Sequence, residues 1–223
     1  MDAVMLAAIG AVLLLLGGAA VATGVLPAAD ALAIVDRVWP ILVFVVAVTV
    51  VAELGAKAGV FDAVSARLAG WSRGRVMVLW LMIALFATVV TAFLSLDTTA
   101  VLLTPVVVAV ARANGLPPLP FAFTTVWLAN TASLFLPVSN LTNLLAAHRL
   151  GDLDAIGFAM LLGPSAIIAA VVTVVLLWIV NRRALRGRFT PARAPRVADP
   201  RLLQLSATVL VVMMPLLVVG IPP

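Results

Sequence analysis

The sequence predicts an all-α protein: a polytopic transmembrane helical bundle containing a re-entrant helical hairpin and one discontinuous helix. Composition points there first. Of 223 residues, 65% are hydrophobic and only 10% charged, whereas a soluble domain is about half apolar and a quarter charged. No soluble core could hide that much apolar surface. The apolar residues also fall into runs close to the roughly 20 residues needed to cross a bilayer. Finally, thirteen arginines and one lysine lie mostly between those runs, where the positive-inside effect accounts for them. The net charge of +5 therefore reports topology and calls for no nucleic-acid partner. Membrane lipid is the expected surrounding, and the cell membrane the expected location.

The first run, Ala3 to Leu26, reads as an uncleaved first helix, because no basic stretch precedes it and no cleavage site is evident. After a polar stretch with Asp30, Asp36 and Arg37, a second run extends from Trp39 to Ala56. Glu53 and Lys57 near its end have the spacing of a helical ion pair. In residues 57–75, Val60, Phe61, Val64 and Leu68 recur at helical spacing, which predicts an amphipathic helix on the membrane surface.

Residues 76–111 form one long apolar stretch, broken at Ser95-Leu96-Asp97-Thr98-Thr99. A single helix of that length would reach about 54 Å, too long for one crossing. Arg73 and Arg75 flank one end and Arg112 the other. Basic residues prefer the cytoplasmic face, so the stretch should enter and leave from that side, as a hairpin or an even number of crossings.

Residues 121–147 could span, but Asn130 to Asn143 is too polar to face lipid. Pro137 removes a backbone donor there, and neighbouring polar side chains can satisfy the freed groups. A discontinuous helix follows. A span over 156–180, a basic linker with seven arginines between Asn181 and Arg201, and a last span over 202–220 complete the chain. The charges give one topology. The N-terminus, the 57–75 segment and the basic linker lie inside. The 148–155 loop lies outside, with Arg149 balanced by Asp152 and Asp154.

Candidate site residues come from the two breaks. Asp97 is an ionisable group inside an apolar stretch, which costs roughly 2.5–3.5 kcal/mol on insertion scales, so it should face a polar cavity or stay protonated. It lines a transport site, or it caps the helix starting at Thr98, or both. Nine Ser, Thr or Asn residues lie between Thr124 and Asn143. Such residues at a broken helix bind ions and polar solutes, or act as glue between helices. The absence of cysteine excludes disulfides and thiolate metal sites, and the single His148 excludes a multi-histidine site. No cofactor is expected. The lone histidine and the lack of a paired acidic motif argue against an enzyme.

The strings LDTTAVLLTPVVVAVAR and FAFTTVWLANTASLFLPVSNLTNLLAAHRLG resemble the arsenite permease branch of the ion-transporter superfamily. That superfamily includes divalent-anion/sodium symporters and sodium/proton antiporters. The similarity covers residues 39–180 and is most specific over 94–151. There an acid precedes small polar residues, a helix ends in Leu-Thr-Pro, and the Ala-Asn-Thr-Ala-Ser and Val-Ser-Asn-Leu-Thr-Asn pattern follows.

The resemblance implies one repeat of an inverted-repeat transporter. Its hairpin tip is Asp97, Thr98 and Thr99. Its broken helix carries Asn130, Thr131, Ser133, Ser139, Asn140, Thr142 and Asn143. It divides the chain into a repeat with a preceding helix (1–181), a cytoplasmic linker (182–201) and the first helix of an incomplete second repeat (202–223). Family members have a second hairpin and broken helix, so the chain is either a fragment or pairs with a second chain or a further copy of itself, as a homo-oligomer, that supplies the missing repeat. The implied function is secondary transport, with arsenite or antimonite as the exported solute and a proton or sodium as coupling ion. A sodium/proton antiporter, an anion symporter and a non-transporting scaffold or truncated remnant stand as alternatives.

Overall fold

The computed structural model describes residues 3–151, 153–192 and 199–219. Among them the regular structure is helical, apart from one isolated bridge between Arg75 and Arg188. The chain divides into two units, residues 1–44 and 45–222. Helix α1 (Ala3–Ala22) lies in the first, and α2 (Ala28–Lys57) begins there and continues into the second. The polar stretch after the first run does not interrupt α2: Asp30, Asp36 and Arg37 are all helical, with Asp30 in the first turn. An acid there suits the positive end of the helix dipole. Glu53 and Lys57 pair at 3.0 Å, as their spacing predicts.

In the second unit, α3 (Val60–Trp71) turns Val60, Phe61, Ser65 and Ala69 into the interior, with Val64 and Leu68 packed beside them. Helix α4 (Val76–Phe93) contributes much of the core through Leu79, Trp80, Ile83, Ala87 and Val90. A turn at 94–95 separates it from a second arm. That arm is a π-helical stretch (Thr98–Leu103) continuing into α5 (Thr104–Ala113). The long apolar run is thus two helical arms broken where the sequence predicts. Its Leu-Thr-Pro does not end a helix, however; it joins the π turn to α5. Pro105 cannot donate to the preceding turn and its ring crowds the carbonyl four residues back. A widened turn immediately before it accommodates both.

The predicted discontinuous helix is also present. Helix α6 (Pro118–Thr131) passes into two short 3-10 turns, Ala132–Leu134 and Pro137–Ser139, before α7 (Leu141–Arg149). Helix α8 (Ala155–Asn181) follows, capped by Asp154, whose carboxylate accepts from the Gly157 amide at 2.7 Å. Asp154 therefore serves a helix, and among the described residues Arg149 has no ion pair; Asp152 lies outside them. Helix α9 (Pro200–Val219) packs against α8 and α3 and buries Leu210. Among the described residues, three helices, α2, α4 and α8, are long and apolar enough to cross a membrane.

Residues 187–192 tie the hairpin's two ends together. The Phe189 amide donates to the Gly74 carbonyl at 2.8 Å, and the Val76 amide to the Gly187 carbonyl at 3.4 Å. The Ala192 amide donates to the Asn114 side-chain oxygen at 2.7 Å. Gly74 and Val76 precede and open α4, and Asn114 ends α5. Both arms of the hairpin therefore start from one end of the unit, beside the strap that follows α8.

Gly74 is required for this clasp twice over. Its φ is +71, and a Cβ there would run into the Phe189 carbonyl. Gly74→Ala should lower stability by about 1–3 kcal/mol from the backbone conformation alone, and more from the collision. Gly70→Ala, in a helix with open space beside it, should be neutral or stabilising by about 0.5–1 kcal/mol. Thermal unfolding in detergent checks the pair; equal Tm values for the two variants would contradict the clasp.

Candidate functional site

The hairpin tip is built around Ser95. Its φ is +138, in a region few non-glycine residues adopt. This lets its hydroxyl accept from the Thr98 amide at 3.2 Å and lie 3.1 Å from the Thr98 hydroxyl. Ser95 is thus the N-cap of the second arm. Asp97 is not the cap: it makes no side-chain capping bond. It sits in the first helical turn, exposed, where a carboxylate favours the positive helix end. The available signal was a Ser three residues ahead of Thr98, a capping spacing that the nearer acid obscured.

Thr98 and Thr99 are buried. The Thr91 hydroxyl donates to that of Thr99 at 2.8 Å, which joins the two arms just below the tip. The Thr104 hydroxyl donates to the Thr99 carbonyl at 3.1 Å and is 2.9 Å from the Thr125 hydroxyl of α6. Trp80 of α4 donates its indole N–H to Thr124 of α6 at 2.7 Å. A ladder of threonines thus fixes both arms to α6. Thr91, Thr104 and Thr125 were not singled out in the sequence, because hydroxyls in apolar helices are common and their partners lie far along the chain.

The break in the α6–α7 segment meets the end of α4, just before the tip. Ser139, fully buried, donates to the Ala92 carbonyl at the end of α4, at 2.7 Å. Asn143, also buried, donates its amide to the Ser133 and Leu136 carbonyls at 2.6 and 3.2 Å. Those carbonyls lie where the 3-10 turns interrupt the helix. Ser133 bonds the Asn130 carbonyl at 2.7 Å. Asn140 caps α7, its side-chain oxygen accepting from the Thr142 amide at 3.1 Å. Ser133, Ser139 and Asn143 are therefore committed to backbone groups.

The remaining residues divide. Asn130 and Thr131 back-bond to Val126 and Trp127 at 3.1 and 3.0 Å, and Thr131 receives Thr173 of α8 at 3.2 Å. Thr131 thus belongs to the α6–α8 contact, and the exposed Asn130 bonds within α6. Asp97 and Thr142 are exposed and Asn140 half-buried. Asp97 makes no bond, and the Asn140 amide nitrogen and Thr142 hydroxyl donate none, so these three have capacity left for a solute. The side chain of His148 is not among those described. No group of three metal-ligating side chains occurs among the described residues.

A hairpin and a broken helix bonded to each other inside an apolar bundle, with a carboxylate in the one and side-chain amides in the other, is an arrangement found in membrane transporters. A family model described as "Citrate transporter" (CitMHS) matches residues 2–223. The chain belongs to the CitMHS family. Among curated proteins it is similar to the "Arsenical pump membrane protein" of Escherichia coli, 30% identical over 218 residues, covering 93% of this chain and 48% of that one. A second protein of that name from the same species is 32% identical over 180 residues, covering 79% of this chain and 40% of its own. One from Yersinia enterocolitica is 30% identical over 206 residues, covering 87% and 47%. The chain spans about half the length of these relatives. No solved structure matches it.

The bonds separate scaffold from site, so two substitutions should behave differently. Asn143→Leu strands two carbonyls and should cost about 2–6 kcal/mol at about 1–3 kcal/mol for each. Asn140→Asp keeps the capping oxygen and should leave stability within about 0.5 kcal/mol, while removing the free amide donor. Thermal unfolding of the two variants is the check; a stable Asn143→Leu protein would show that the break needs no side-chain donor.

Proposed function

We propose that this chain is one half of a secondary transporter, that its solute is a neutral oxyacid such as arsenous acid or its antimony counterpart, and that Asp97 couples transport to a proton or cation. The observation carrying the proposal is the Ser139–Ala92 bond of 2.7 Å between broken helix and hairpin, next to side chains with unused capacity. Residues 1–181 would be the repeat with its preceding helix, 182–201 the linker and 202–223 the start of a second repeat. The remainder of a longer chain, a second chain or another copy would complete the site.

Lengths support a re-entrant reading of the hairpin. Helix α4 has 18 residues and α6 has 14, or about 27 and 21 Å at 1.5 Å per residue. Both start near the strap; α6 stops short of a hydrocarbon core of about 30 Å, and α4, though long enough to cross one, ends level with the break through the Ser139–Ala92 bond. Tip and break would then meet inside the membrane.

Charge discriminates between citrate and arsenous acid as the solute. Citrate is a multiply charged anion and would need cationic partners. Between Val76 and Ala147 the one basic residue is Arg112, which is exposed in the last turn of α5, at the opposite end of the arm from the tip. Arsenous acid carries three hydroxyls and no charge, which Asn140, Thr142 and Asp97 can bond. A thiolate would hold such cargo too tightly for release, and the sequence has none.

Two experiments test this. In proteoliposomes containing the chain with its complementary half, Asp97→Asn should leave the protein folded and abolish coupled arsenite transport. Transport at the wild-type rate with unchanged pH and cation dependence would remove Asp97 from the mechanism, and citrate transport without arsenite transport would reverse the substrate assignment. For topology, single cysteines at Ala192 and Leu150 should label from opposite faces, with 192 inside; labelling of 192 on intact cells by an impermeant thiol reagent would overturn it.

A further inference from the structure

The clasp places two arginines opposite each other. Arg75 and Arg188 are the paired residues of an antiparallel bridge. The bonds that make it run from the Phe189 amide to Gly74 and from the Val76 amide to Gly187. They flank the pair, so Arg75 and Arg188 form the non-hydrogen-bonded kind of pair, in which Cα atoms approach to about 4.5 Å and side chains lie closest. Like charges directly opposite in such a pair are destabilising.

Among the described residues no ion pair offsets them. No Asp or Glu occurs in residues 71–76 or 181–192, and the single ion pair among the described residues is Glu53–Lys57. Both arginines are exposed, and Arg73 lies in the same turn. The positive-inside effect calls for arginines on this face, but not for two of them held face to face by backbone bonds.

We propose that Arg75 and Arg188 form a site for the phosphate of an anionic phospholipid headgroup. Two guanidinium forks converging on one phosphate turn the repulsion into charge-assisted bonds. A lipid rather than a free anion is indicated by position. Trp71, four residues before Arg75, is 65% exposed at the end of the amphipathic α3, and exposed tryptophans suit the headgroup level. The bridge also ties the start of α4 to the strap after α8, so a bound headgroup would reinforce the base of the hairpin.

The test uses the purified 223-residue chain, freed of lipid in an uncharged detergent. Phosphatidylglycerol is added in mixed micelles, with phosphatidylcholine and inorganic phosphate in parallel, and Tm is followed. Wild type should be stabilised by phosphatidylglycerol alone. The R75Q/R188Q variant should need about tenfold more lipid, or more, for the same shift. The R182Q/R183Q variant, which loses the same charge elsewhere on the linker, should respond as wild type. Without lipid, R75Q/R188Q should be at least as stable as wild type, because a repulsion has been removed. An equal loss of response in R182Q/R183Q would reduce the effect to diffuse attraction and overturn the site. An equal shift with inorganic phosphate would overturn the lipid assignment. A lipid-free R75Q/R188Q protein less stable than wild type would make the arginines structural and overturn the proposal.

Discussion

A peptide group in hydrocarbon has no water to bond, so every interruption of a helix there must be answered by protein. Two interruptions occur within the core of the second unit, and several of its buried and half-buried polar side chains are spent on them. Ser95 receives the Thr98 amide in the first turn of the second arm, and Thr104 supports the carbonyl of Thr99 at the widened π turn. Asn143 takes two carbonyls of the broken helix, and Ser139 takes Ala92. Among the described residues only the Ser65 hydroxyl is buried without a partner. The tip and the break lie together because each supplies groups that the other can bond.

The strap imposes a second constraint from the other end. Bonds at Gly74, Val76 and Asn114 hold the starts of both arms against residues 187–192. Trp80–Thr124 and Thr104–Thr125 then fix the arms to α6 along their length. A hairpin secured at its base and along its flank can present its tip at a defined position. The strained Ser95 at that tip is tolerable for the same reason, since surrounding bonds determine its conformation.

Helix existence and both breaks were legible in the sequence, because they depend on hydropathy and on local residues: the polar string at 95–99 and Pro137 with its Asn and Ser neighbours. The Glu53–Lys57 pair was legible for the same reason. What was not legible depends on distance along the chain or on competition between neighbours. Asp97 is a good capping residue, but Ser95 lies two positions earlier and takes the role. Asn143 and Ser139 have the chemistry of solute ligands, yet a carbonyl left free by the break claims each. The strap's bonds join residues more than seventy positions apart, and no local pattern announces them. Asp30 and Asp36 suggested a loop, but helix propensity and the favourable first turn carried α2 through them.

Asp97 itself can be judged by magnitude. At the membrane depth proposed for the tip, a carboxylate costs roughly 2.5–3.5 kcal/mol. Its place in the first turn of the second arm returns about 0.3–1 kcal/mol from the helix dipole, rising to about 2 in favourable geometry. The dipole therefore does not cover the cost, and no cationic side chain among the described residues pairs with it. The balance must come from water, a proton or a cation at the tip. Water alone would let the site stay charged throughout a transport cycle. A proton or cation that binds when the tip is accessible and leaves when it is not would make the energy of Asp97 depend on which way the site faces. That dependence is the physical content of coupling, and it requires a carboxylate with no permanent partner, which is how the fold leaves Asp97.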